Sequence, residues 1–232
     1  MKQITLILLI TTSYLSSYGQ EQQVDCANTI RINQITKNFK IFKYPENFKI
    51  EKLNSFDKVK NKSPEQLMRS VISATNLDWY NFNREEKKQN SSQDFAYIKQ
   101  VSPEAYYVKL LYKVSFEASG FKYAIIKYNL LDNKKPVLGY AEAMKKRGER
   151  WFTTSEEEIS QFSFFMIMID TKYIDNIFNN TRSDNSNLNQ ILNLNQFNGI
   201  ININDVLNDL QKQLTESRGN LKSILDPNRL FK

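Results

Sequence analysis

Between residues 105 and 118 the chain changes character at every step. Tyr106, Val108, Leu110, Tyr112, Val114 and Phe116 alternate with Tyr107, Lys109, Leu111, Lys113, Ser115 and Glu117. That is the period of a strand whose wholly apolar face is covered and whose other face is mixed. Ser119-Gly120 suits a two-residue hairpin turn into a second run over 121–131. Asp132-Asn133-Lys134-Lys135-Pro136 turns the chain into a third run over 137–146, and Arg147-Gly148 leads into a short fourth over 149–153. Connections this short make the sheet an antiparallel meander.

On either side of these strands the period becomes 3.6. Ser63-Pro64-Glu65-Gln66 combines an N-cap, a proline at the first helical position and a capping-box glutamine. Leu67, Met68, Val71, Ile72 and Thr75 follow on one face, which predicts a helix to about residue 80. After the sheet, Ser155 reads as a cap, and glutamates at 156–158 fill a first turn where the helix dipole favours acids. Ile159, Phe162, Met166, Ile169, Tyr173 and Ile177 form a stripe that Phe165 and Met168 widen. It predicts one long helix over 155–178, laid across the apolar face of the sheet. The fold class is α+β: an antiparallel meander packed on a leading helix and a following long helix.

The pattern is weaker toward both ends. Phe39 with Ile41, and Phe48 with Ile50, flank Pro45-Glu46-Asn47 and predict a hairpin or an edge strand. Residues 84–94 read as a loop. Residues 179–204, rich in Asn, Ser and Asp, read as a linker or long loop, with a short hairpin around Gly199 where Leu192, Leu194, Ile201 and Ile203 alternate. Asn204 or Asp205 then caps a helix carrying Leu207, Leu210 and Leu214 and ending near Gly219.

Residues 1–19 read as a signal peptide, with Lys2, an apolar run over 4–10, and Ser17 and Gly19 before a cleavage point at Gln20. The run is too short for a hydrocarbon core of about 30 Å. Cys26 follows Val24-Asp25, too polar and too late for a lipid anchor. The expected protein is therefore exported, periplasmic or extracellular. The expected organisation is a basic N-terminal extension over 20–62, an α+β core domain over 63–178, the 179–204 linker, and a C-terminal helical segment over 205–232.

Composition narrows the chemistry. One cysteine cannot form an internal disulfide, so the core alone must hold the fold. The chain has no histidine, which removes imidazole metal ligation, His-dependent triads and His general bases. No metal or cofactor is expected, while carboxylate-based glycoside hydrolysis stays open. The formal charge is +7, and residues 31–62 hold nine Lys/Arg against three acids. Residues 31–62 are thus a candidate for contact with an anionic surface such as lipopolysaccharide, acidic polysaccharide or phospholipid head groups. Nucleic acid is disfavoured, because the chain reads as exported and carries no RNA-binding signature.

Two constellations could carry a site. Lys109, Lys113, Lys122 and Lys127 interleave with Tyr107, Tyr123 and Tyr128 on the mixed sheet face, as on surfaces that bind acidic polymers; an ordinary solvated face reads the same way. Trp79, Tyr80, Tyr112, Tyr140, Glu142 and Trp151 could line a pocket between helix and sheet. Glu142 stands between Ala141 and Ala143, where small neighbours leave room for a ligand and an apolar cavity would raise its pKa. The competing reading puts Glu142 in solvent and the aromatics in the core.

Residues 63–154 resemble the NTF2-like (cystatin-like cone) superfamily. A capped leading helix with a Trp near its end (Ser63-Pro64-Glu65-Gln66 to Asp78-Trp79-Tyr80) precedes long antiparallel strands closed by Arg150-Trp151-Phe152. The resemblance implies a curved sheet wrapping a helix, a pocket in the cone, and a homodimer. A long helix after the last strand, and a polar loop in place of a second helix before the sheet, depart from that pattern. Fold does not fix function, and three readings stand: a non-catalytic exported domain binding an unknown small ligand or protein partner, a small carboxylate-dependent enzyme using Glu142, and an assembly protein acting through its terminal extensions. The missing histidine and the lack of paired carboxylates favour binding over catalysis.

Overall fold

The computed structural model describes residues 22–24, 29–32, 39–87, 106–132, 135–179, 181–197, 200–216 and 224–226. The segment 1–19 predicted as a signal peptide, Cys26 and the tip of the 132–136 turn lie outside the described residues. Strands β1 (Gln22–Val24), β3 (Lys40–Lys43), β5 (Tyr106–Ala118), β6 (Phe121–Asp132), β7 (Lys135–Arg147) and β8 (Arg150–Thr153) lie side by side in that order, with β4 (Lys49–Ile50) beside the start of β5. Every pair in this sheet is antiparallel, and the fold is α+β. A small second sheet sets β2 (Thr29–Arg31) parallel to β10 (Ile200–Asn202), which also pairs with β9 (Gln196–Phe197).

Helices cover both faces of the main sheet. On one lies α1 (Pro64–Ser73), with α2 (Leu77–Phe82) packed beside it through Trp79. On the other lie α3 (Glu157–Met168), α4 (Ile174–Asn179), α5 (Ser186–Leu194) and α6 (Ile203–Glu216). The unbroken alternation of β5 predicts one apolar face, and here the structure departs from it. Register slips between Leu110 and Tyr112, a β-bulge that leaves Leu111 as the extra residue. Val108 and Leu110 pack toward α1, whereas Tyr112, Val114 and Phe116 pack toward α3. The partner strand breaks at the same level. Pro45 cannot donate to a ladder, so β3 stops at Lys43 and β4 resumes at Lys49. Tyr44 N–H donates to the bulged Leu111 carbonyl at 3.0 Å.

Residues 39–50 are accordingly part of the sheet rather than an extension. Phe39 and Ile41 are buried against α3, and Tyr44, Phe48 and Ile50 against α1. The predicted linker also holds a helix, α5, whose Leu188, Ile191 and Leu192 join the core. Its asparagines act as caps, since Asn185 Oδ1 accepts from the backbone N–H of Asn187 and Leu188, and a hairpin follows at β9 and β10.

The leading helix is capped by Ser63, whose hydroxyl accepts from Gln66 N–H. It breaks at Ala74, and Asn76 caps α2. Ser155 does not cap α3; its hydroxyl donates to Glu86, and the Glu156 carboxylate accepts from Tyr123 and Lys145. The predicted long helix ends at Met168, because its last carbonyls are claimed from outside. Lys127, fully buried, donates its ammonium to Met166 O at 2.6 Å and Ile169 O at 2.5 Å, with Asp226 Oδ2 at 3.4 Å. A cation there answers both the orphan carbonyls and the negative helix end. Residues 224–226 close over this point, where Asp226 N–H donates to Met168 O and Asp170 N–H to Ile224 O.

Candidate functional site

The pocket residues read from the sequence divide three ways. Tyr140, Glu142 and Trp151 share the α1 face of β7 and β8, with the Tyr140 and Tyr128 rings 5.8 Å apart. Tyr112 lies behind the sheet, a consequence of the bulge. Its hydroxyl sits with the Lys43–Asp175 ion pair, and burial pushes its pKa up to about 12. Trp79 belongs to a separate small cluster with Ala74, Leu53 and Val59 and donates its indole N–H to Ser70 Oγ.

Glu142 is half-buried, and burial pushes its pKa up to about 7, offset in part by the Arg84 guanidinium. The small residues beside it do make room, but on the opposite face. α3 fills that room, and Ser163 Oγ donates to Ala141 O at 2.6 Å. The lysines of the mixed face also separate. Lys113 turns toward α1 and pairs with Glu65 at 2.7 Å, while Lys127 turns toward α3. Burial alone would raise Glu65, but the Lys113 charge and the bonds from Lys113 and Tyr44 hold its carboxyl low.

An open cleft lies elsewhere, between the segment 51–60 and the solvent side of α1. A cleft of about 500 Å³ is lined by Lys52, Leu53, Asn54, Asp57, Lys58, Lys60, Gln66 and Arg69. Four cations there face one carboxylate. The scaffold beneath them is fixed. Arg69 Nε donates to Glu51 O at 2.7 Å, and Leu53 N–H donates to Ser73 Oγ at 2.7 Å. Phe56, in the 3-10 turn Phe56–Lys58, stacks on Trp79 at 5.6 Å and meets Phe82 edge-on at 5.0 Å. Below, Asn61 takes a left-handed φ of 51° and reaches Asn83 at 3.0 Å, while Ser70 donates to Asn83 at 2.6 Å. Asn tolerates this conformation better than most residues, and the network ties the segment to α1 and α2. Burial holds the Lys52 ammonium below its ordinary pKa, so desolvation there outweighs the compensation its surroundings provide.

The charge count over 31–62 points to this stretch, but it does not separate Lys52, Lys58 and Lys60 from lysines used elsewhere. Nor does it include Arg69, which one turn-and-a-half of α1 brings to the same rim. Among the described residues no group of three or more acids and cysteines is arranged to hold a metal ion, and no helix is long and apolar enough to cross a membrane. No family model, curated protein or solved structure matches this chain.

Proposed function

We propose that this chain is an exported, non-catalytic binding domain that takes an anionic ligand in the cleft between segment 51–60 and α1. The observation that carries this reading is the cleft itself, with Lys52, Lys58, Lys60 and Arg69 set around one carboxylate on a pinned scaffold. Its volume falls within the range of about 300–1,000 Å³ common to small-ligand sites, and clustered cations in a concave wall focus the field that attracts anions.

The test is retention on immobilised heparin at about 0.15 M salt, where screening leaves only close charges effective. The triple variant K52Q/K58Q/K60Q loses retention. K40Q/K122Q/K212Q, which removes as many exposed lysines elsewhere, keeps it. Equal loss in both variants would reduce the effect to net charge and end the assignment of the cleft.

A further inference from the structure

A bare polyanion and an acidic saccharide ask different things of a basic cleft. Toward a bare polyanion, a carboxylate in the wall only repels. A saccharide also presents hydroxyls, which donate, and an ionised carboxylate is a strong acceptor for them. This cleft holds one such group. Asp57 sits in the turn Phe56–Lys58 among Lys52, Lys58, Lys60 and Arg69. A hydrogen bond from the Ser55 hydroxyl, then its own backbone and Lys58, hold its carboxyl below the usual range, so it is ionised and acceptor-only at neutral pH. The turn is closed by Val59 N–H donating to Phe56 O at 3.0 Å and anchored by the Phe56 ring on Trp79. Asn54 and Gln66 add neutral amides. Gln66 Oε1 already accepts from Lys62 N–H at 2.9 Å, which leaves its amide nitrogen as the group to offer a ligand.

Resting on the reading of this cleft as an anion site, we infer that its ligand is an acidic saccharide, whose charged groups meet the lysines and Arg69 and whose ring hydroxyls donate to Asp57. Asp57 is then the specificity determinant. It costs affinity for any anion without hydroxyls and contributes affinity for one that has them.

Calorimetry on the full chain with trigalacturonate and with tripolyphosphate tests this, comparing the natural sequence with D57N. Asp57 is exposed, so the amide leaves the core untouched. The natural sequence binds trigalacturonate more tightly than tripolyphosphate. D57N weakens trigalacturonate about tenfold, the scale of a lost hydrogen bond to a charged group, and tightens tripolyphosphate. If D57N tightens both probes or leaves trigalacturonate unchanged, or if the natural sequence prefers tripolyphosphate, Asp57 is only a repelling charge. The saccharide assignment then falls while the anion cleft stands. If neither probe binds, the saccharide assignment falls, and if heparin retention also ignores Lys52, Lys58 and Lys60, the anion cleft itself is refuted.

Discussion

Replacing Asp226 with alanine removes the carboxylate that faces the fully buried Lys127 ammonium, while the carbonyls of Met166 and Ile169 stay beside the charge. Breaking a buried pair in this way costs about 3–5 kcal/mol. The carbonyls of Met166 and Ile169, at 2.6 and 2.5 Å, carry the negative end of α3 and bring the expected value to the lower part of that range, about 3 kcal/mol. K127M/D226A removes the charge as well, at the cost of two donated bonds, about 1–3 kcal/mol in all. The double variant is therefore no less stable than D226A alone, and the cycle shows coupling well above about 0.5 kcal/mol. Urea unfolding followed by the fluorescence of Trp79 and Trp151 measures each value. Gly139→Ala provides an independent approach. A Cβ there would stand 2.9 Å from Asp226 Oδ2 and 3.3 Å from Asn129 Oδ1, so the carboxylate must shift and the variant loses about 1–3 kcal/mol. A D226A cost below about 1 kcal/mol, or an additive cycle, would refute the argument.

Glu142 gives stability a pH dependence. Its carboxyl titrates near 7 in the fold against 4.5 without burial, so the folded chain keeps a proton that the unfolded chain releases. Stability is therefore full below about pH 4.5 and falls as pH rises through about 7, by up to about 3 kcal/mol. Glu142→Gln lacks this decline, and melting temperatures from pH 4 to 8 that fall equally in both proteins would contradict it. The bulge in β5 makes a further prediction. Leu110→Ala costs about 2–5 kcal/mol. Combined with Val114→Ala, its effect adds within about 0.5 kcal/mol in urea titrations, because the sheet separates the two sites. Strong coupling between them would place both in one core.

Where local chemistry decides the outcome, the sequence was readable. The Ser63 cap, the β5–β8 meander and its hairpin at Ser119-Gly120 follow from short-range rules, and both turn residues take positive φ as such a hairpin requires. The buried stripe from Ile159 to Ile177 was likewise visible. Its interruption was not, since the groups that end α3 come from Lys127 and from residues 224–226. The bulge at Leu111 was hidden for a related reason. Leu, Tyr and Val suit either face, so alternation alone does not reveal a change of side. Glu142 was identifiable as a carboxyl with a shifted pKa, but the space inferred from Ala141 and Ala143 belongs to a helix. The basic cleft was legible as charge and not as shape, because Arg69 reaches it only once α1 is packed under segment 51–60.

Lys127 and Asp226 are 99 residues apart in the chain, and that separation orders events during biosynthesis. β6 and α3 leave the ribosome well before the carboxylate that completes their junction. Until residues 224–226 arrive, burying the lysine there is unfavourable, and the nascent chain keeps this junction open. Long-range closure of this kind slows folding and leaves apolar sheet surface available to chaperones while synthesis proceeds.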